Sequence, residues 1–258
     1  MMALFIFLLG ISIGSFLNVV ILRTQKKESW FGRSCCPHCQ KQLLSRDLIP
    51  IFSFFFLKRQ CRFCQTPISW QYPLVECFTG FLFLLIFLKY TQGWFLSPMQ
   101  IAFWGTFFLR DLIFILFLIV LFVYDLKYFF ILDRFTIPGI VIALSFNVFL
   151  GFSFFFLLSG IVVLSGFFLL QFLFSKGTWV GGGDIRMGAL MGSLLGLEQG
   201  LIALFIAYLI GALFGIALLL TKKATRKTQI PFGTFLAIGT FLVLFFGNQL
   251  IEWYLRMV

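Results

Sequence analysis

An all-helical, polytopic membrane bundle of about eight spans with one cytoplasmic zinc-knuckle loop is the fold class this sequence predicts. Three observations predict it: an apolar composition, a succession of apolar runs of membrane-crossing length, and two Cys-x-x-Cys pairs in one long polar loop. Of 258 residues, 61% are hydrophobic, 11% are charged and 40 are Phe. A soluble domain is roughly a quarter charged and about half apolar. A water-soluble globule of this composition could not cover its surface. A disordered, collagen-like or disulfide-rich secreted chain is excluded on the same grounds.

The second observation is the run of apolar segments. A helix needs about 20 apolar residues to cross a bilayer. Candidate spans lie at 3–22, 74–90, 112–130, 136–152, 155–174, 185–197 (short), 199–220 and 232–250. The first has no basic residue before it and no small-residue cleavage site after it, so it reads as a retained span rather than a signal peptide. The segment 91–111 fits less well. Trp94 to Leu109 is apolar but short, and Arg110-Asp111 follows at once. It reads as an interfacial helix or as a ninth span. The organisation expected is a first membrane span at 1–22, a cysteine domain at 23–73 and a membrane domain at 74–258.

Charge placement orients the spans. The net charge is +11. Arg23 to Tyr72 holds nine basic residues and two acids, and Lys222 to Gln229 adds four basic residues. Concentrated Lys and Arg in polar loops is the positive-inside signal, so both loops read as cytoplasmic. Eight alternating crossings satisfy both loops at once and put the N-terminus outside. Because these patches flank spans, topology explains them; the expected partner is the lipid bilayer, with no nucleic acid.

The third observation is Cys36-Pro-His-Cys39 followed by Cys61-Arg-Phe-Cys64. Thiolates at i and i+3 on a tight turn grip one tetrahedral ion, and four make a closed structural zinc site. A reducing cytoplasm disfavours disulfides, and the thioredoxin-like context of a redox pair is absent. The loop has few large apolar groups. Metal binding worth on the order of 10–16 kcal/mol supplies stability that such a small core lacks. Cys35 is a spare thiol beside a ligand, Cys77 lies in a span and reads as packing, and His38 reads as a bystander. With no other His in the chain, neither Ser-His-Asp nor Cys-His machinery can be built.

Acids in hydrocarbon cost several kcal/mol and are functional candidates by default. Glu198 and Glu252 read as solvated outer ends, Asp111 as a partner of Arg110, and Glu76 as an acid suiting the start of the second span. Asp125 and Asp184 differ. The predicted topology puts both at shallow depth on the cytoplasmic side. Asp184 follows Gly181-Gly182-Gly183, and irregular backbone inside a membrane is tolerated only where it is buried in protein or lines a wet cavity. Two carboxylates that share one proton can act as acid and base toward water. The competing reading is that each Asp caps a helix or pairs with Lys127, Arg134 or Arg186.

These residues resemble the type IV prepilin peptidases, bifunctional leader peptidase/N-methyltransferases of the GxGD aspartic protease class, along nearly the whole chain. Gly14 to Arg23 is similar to the family's GSFLNVVIxR, and Ile68 to Glu76 to its ISxxYPLVE. Asp125 is followed eight positions later by Asp133, as in the family's D-x6-P-D, with Leu132 where Pro is usual. Gly181-Gly182-Gly183-Asp184 matches GxGD, with Arg186 where Lys is common, and Ile230 to Gly233 is similar to IPFG.

The resemblance implies an endopeptidase of the bacterial inner membrane that removes the basic leader of type IV prepilins or pseudopilins at a Gly–hydrophobic bond. Asp125 and Asp184 would be catalytic, with Gly181, Gly182, Gly183, Asp133 and Arg186 supporting them. The resemblance also implies methylation of the new N-terminus with S-adenosylmethionine, associated with the cysteine loop. No glycine-rich dinucleotide-type site stands in that loop, so no residue is assigned to the methyl donor. The rival class is a proton-coupled transporter with an intramembrane Asp relay, which places acids deeper and along a path.

Overall fold

Residues 1–91, 98–222 and 229–256 are described by a computed structural model, and the chain divides into two compact units, Met1–Ser97 and Pro98–Val258. Among the described residues, six helices are long and apolar enough to cross a membrane. Lys223, Arg226 and Lys227 of the second basic loop, and the 92–97 part of the 91–111 segment, lie outside the described residues.

In the first unit, α1 (Met2–Lys26), the short α2 (Phe52–Phe56) and α3 (Gln71–Thr91) follow in order, and α1 packs against α3. Small residues bring the two backbones together, as membrane helices require when hydrophobicity cannot drive their association. A Cβ at Gly10 would stand 2.8 Å from the Gly80 Cα, and one at Gly14 would stand 2.8 Å from the Glu76 Cα. Asn18 Nδ2 donates to the Tyr72 carbonyl at 3.1 Å, and Gln71 Nε2 donates to Asn18 Oδ1 at 3.2 Å. Helix α1 ends where Lys27 turns left-handed (φ 57°). Arg23 then organises the chain leaving it, donating to the carbonyls of Ser29, Trp30, Gly32 and Arg33. Glu76 is six residues into α3 and buried, and its Oε2 accepts the Ile51 N–H at 2.7 Å. It therefore secures the loop rather than only opening a helix. Cys77 is exposed on α3, so the expectation that it packs inside is corrected: it lies on the same outward stripe as the exposed Leu74, Phe78 and Phe81, one helical turn apart.

The second unit contains α4 (Pro98–Tyr128), α5 (Asp133–Phe149), α6 (Phe154–Ser175), α7 (Gly182–Leu220) and α8 (Phe232–Leu255). Helix α4 corrects the reading of 98–111, which is neither a surface helix nor a separate crossing but the first part of one 31-residue helix. Arg110 and Asp111 do not end it because their charges meet. Asp111 is fully buried, Arg110 Nη2 reaches its Oδ1 at 2.7 Å, and Arg110 Nη1 donates to Asn147 of α5 at 2.8 Å.

Helix α7 is two helices joined at Gly196, whose φ of 74° and ψ of −166° are open to glycine. The chain folds back there. A straight helix would separate Gly188 from Gly200 by ~18 Å. Instead, a Cβ at either would lie within 2.9 Å of Leu164 on α6. The carbonyls of Ser193 and Leu194, just before the break, accept hydrogen bonds from Asn147 Nδ2 at 2.8 and 3.0 Å. The predicted pair 185–197 and 199–220 corresponds to these two arms, and the eight predicted spans each find a helical counterpart. Helix α8 packs on α4 and on α7.

Candidate active site

Three helix ends build the site. Asp125 lies in the last turn of α4 and is buried. The chain then leaves through Phe129 (φ 54°), and the buried Ile131-Leu132 strap leads to Asp133, the first residue of α5. Asp184 is the third residue of α7, where its Oδ2 accepts the Gly181 N–H at 2.9 Å. This follows from the local sequence, since an acid in the first turn satisfies donors that lack helical partners. Helix α8 begins one residue after Pro231 and presents Thr234 to Asp125.

Ile131 explains why small residues stand beside both acids. A Cβ at Gly183 would lie 2.8 Å from the Ile131 Cβ, and one at Gly233 would lie 2.7 Å from its Cδ1. The starts of α7 and α8 thus close on one side chain, and any larger residue at either position would force them apart.

Asp125 and Asp184 line one cavity of about 1070 Å³, together with Gly181, Gly182 and Gly183. Its volume is at the upper end of ordinary ligand sites. Asp133 and Arg186 also line it and form an ion pair with each other. Arg186 therefore balances Asp133; among the described residues neither Asp125 nor Asp184 has a cationic partner. Asp184 does cap its helix, as the competing reading expected, but the capping is compatible with its position at the cavity. Tyr208 and Gln171, hydrogen-bonded at 2.9 Å, complete the polar part of the wall. Asp184 and Tyr208 are 24 positions apart, ~36 Å along an unbroken helix, and they reach the same cavity because α7 doubles back. Two carboxylates in a cavity that admits water, with no cation neutralising either, can take up and return protons during hydrolysis.

Three contributors were not singled out from the sequence: Thr234, Ile131 and the Gln171–Tyr208 pair. Thr234 directly follows the Ile230–Gly233 motif, which was its only signal. The other two depend on which helices meet.

The chain matches two family models. Residues 8–90 match the bacterial peptidase A24 N-terminal domain, and residues 112–216 match the type IV leader peptidase family. It is also 32% identical to a prepilin leader peptidase/N-methyltransferase of Aeromonas hydrophila over 97% of this chain and 92% of the relative. The chain belongs to the type IV leader peptidase family. A Bacillus subtilis relative with the same description is 30% identical over 98% of this chain and 97% of its own length. No solved structure gives a significant match. Membership of a peptidase family leaves the transporter reading without support.

The cysteine site lies in the first unit. The Sγ atoms of Cys36, Cys39, Cys61 and Cys64 all lie within 4.8 Å of one another. The two knuckles are built alike. Cys36 N–H donates to the Lys41 carbonyl as Cys61 N–H does to Thr66, and Gln40 and Gln65 both take positive φ (58° and 56°). Zinc–sulfur bonds of about 2.3 Å imply Sγ···Sγ edges of about 3.8 Å in a tetrahedron, and the Cys36–Cys64 separation is 3.8 Å. Four thiols at this spacing can hold a metal. The Thr66 hydroxyl, 2.9 Å away, and the Thr66 backbone bring the Cys64 thiol down to about 6, toward the ligand form. His38 and Cys35 stand outside the cluster. A one-turn helix at Ser45–Leu48 is tied to the second knuckle through Asp47, whose buried carboxylate meets Arg62 at 2.6 Å. The Arg62 guanidinium holds the Asp47 carboxyl below its ordinary range.

Proposed function

We propose that this chain is an intramembrane aspartic endopeptidase of the bacterial inner membrane. It removes the basic leader of type IV prepilins or pseudopilins at a Gly–hydrophobic bond on the cytoplasmic face. The observation that carries the reading is the convergence of Asp125 and Asp184, remote in sequence, on one cavity beside three consecutive glycines. The family match and the names of the relatives support the substrate class.

One carboxylate takes a proton from water, whose oxygen attacks the scissile carbonyl; the other protonates the oxygen that develops charge. The glycine backbone leaves room for an extended substrate beside Asp184, and the Asp133–Arg186 pair flanks it. The two basic loops are cytoplasmic and the N-terminus is external, so the acids lie at the depth where a basic leader gives way to an apolar helix.

The division of labour follows the chain: an anchor at 1–22, a metal-bearing module at 23–73 and the peptidase machinery within 74–258. Zinc is the metal held by Cys36, Cys39, Cys61 and Cys64, and its role is to order the module. The relatives' names carry an N-methyltransferase activity, and in this reading methylation of the released N-terminus uses S-adenosylmethionine as co-substrate. The described residues of the module form no glycine-rich cradle for it, and no residue is assigned to holding it.

Cleavage of a prepilin with an intact leader by the purified protein tests the reading, with Asp125→Asn and Asp184→Asn beside wild type. Undiminished cleavage by either variant removes that Asp from its role. A wild-type protein inert toward several prepilins overturns the proposal.

A further inference from the structure

We propose that Thr234 is a positioning residue that divides the roles of the two acids: it holds Asp125 as the ionised base and leaves Asp184 as the acid carrying the proton. The proposal rests on the peptidase reading above.

Asp125 Oδ2 accepts two hydrogen bonds from this one residue, the backbone N–H at 2.7 Å and the hydroxyl at 3.1 Å. Both residues are buried, with 5% of Asp125 and 4% of Thr234 exposed. The N–H belongs to the first turn of α8, where donors have no partner within the helix. Asp125 therefore serves as the anion at a foreign helix start, 109 positions along the chain. Asp184 also sits at a helix start, but its Oδ2 accepts one bond, from the Gly181 N–H of its own cap. Donors aimed at a carboxylate favour its charged form, so the acid that receives more of them keeps the charge when the two share one proton.

The surroundings hold Thr234 to this task. A Cβ at Gly233 would lie 3.0 Å from Asp125 Oδ2, so the start of α8 is pressed onto the carboxylate. The other titratable or charged groups lining the cavity are Asp184 and Tyr208 of α7 and the Asp133–Arg186 pair. Because that pair balances itself, Thr234 is the element that distinguishes the two acids. Among the described residues no protein donor is bonded to Asp125 Oδ1, which leaves that oxygen to face water.

The reaction then balances. A water O–H bond breaks and its proton passes to Asp125 Oδ1 while the oxygen bonds to the scissile carbon. The carbonyl oxygen receives the π electrons and takes the proton from Asp184, giving a gem-diol. On collapse the C–N bond breaks and its electrons stay with nitrogen, which takes the proton held on Asp125. A diol hydroxyl returns its proton to Asp184 as the carbonyl re-forms.

The test is the pH dependence of kcat/KM for prepilin cleavage by the full-length purified protein and by Thr234→Ser, Thr234→Val and Thr234→Pro. Losing a bond to an ionised acceptor makes the base harder to ionise, so the acid limb should move to higher pH. The expected move for Thr234→Val is about one pH unit. Thr234→Pro, tolerated in a first helical turn, also removes the N–H and should move it further. Thr234→Ser should restore the wild-type limb. A merely structural role would lower the rate at every pH without moving the limb. The proposal is overturned if the Val and Pro variants keep the wild-type acid limb, or if the basic limb moves instead, which would make Asp184 the base. A wild-type protein that cleaves no prepilin at any pH overturns the peptidase reading, and this proposal with it.

Discussion

The cysteine module and the α4–α8 bundle solve the same problem, keeping polar groups in order, by opposite means. In the module, Phe54, Cys36 and Cys61 are the buried apolar residues, while Phe31, Phe52, Phe55 and Phe56 are exposed. Its order comes from turns around four thiols, from the Asp47–Arg62 ion pair, and from Arg23 and Glu76, which tie its backbone to the flanking helices. In the bundle, order comes from backbones in close approach and from polar groups buried only where each finds a partner. Arg110, Asp111 and Asn147 form such a set, and Asn147 meets the carbonyls exposed by the break in α7. The comparison teaches that the module is ordered around four thiols able to hold a metal, whereas the bundle is ordered by helix packing and by buried polar groups that partner one another. Asp125 and Asp184 are the exception within the bundle, buried without a cation. A burial that packing does not reward is what a working pair of acids looks like.

The sharpest way to break the contrast is at the acids. Asp125→Asn or Asp184→Asn should lower cleavage by at least about a thousandfold while leaving the metal content of the module unchanged, as read by a cleavage assay and by metal analysis on the same sample. Cys36→Ser should do the reverse. We expect the bound metal, about one zinc per chain, to be lost together with methylation, while the α4–α8 bundle stays folded and still cleaves. Loss of cleavage and methylation in equal measure would show that the two regions are not independent. Asn147→Ala tests the packing side. It strips the Ser193 and Leu194 carbonyls of their donor and should destabilise the protein by about 1–3 kcal/mol, measured as a lower thermal midpoint in detergent. Asp133→Asn removes a half-exposed ion pair and should cost under about tenfold in cleavage, far less than Asp125→Asn. Asp47→Asn should have the smallest effect, a faster release of metal to a chelator at neutral pH. Because Arg62 lowers the folded carboxyl's pKa, the contribution of this pair is present above the unfolded pKa and is lost as pH falls through the folded one. The difference between Asn and wild type should therefore vanish in acid.

Much of the molecule was legible because its signals are short-range. Apolar runs reported the helices, the i, i+3 thiols reported the knuckles, and Gly181-Gly182-Gly183-Asp184 announced a helix start with an acid in its first turn. The reading faltered at Arg110-Asp111, where adjacent charges suggested the end of a span. Whether a charge ends a helix or is buried within it depends on partners such as Asn147, 37 positions away. Cys77 was misplaced for a similar reason, since an apolar stretch does not show which of its faces meets protein and which meets lipid.

The sequence by itself determined the class of fold, the loop of paired cysteines and the two acids worth testing, because residue type, spacing and helix-end chemistry act over a few residues. Only the tertiary structure decided that Asn147 meets the carbonyls exposed by the break in α7, that Ile131 is gripped from two sides, and that Thr234 delivers both its donors to Asp125. Those outcomes depend on which surfaces approach one another, and such approaches are set by packing across the whole bundle rather than by any local pattern.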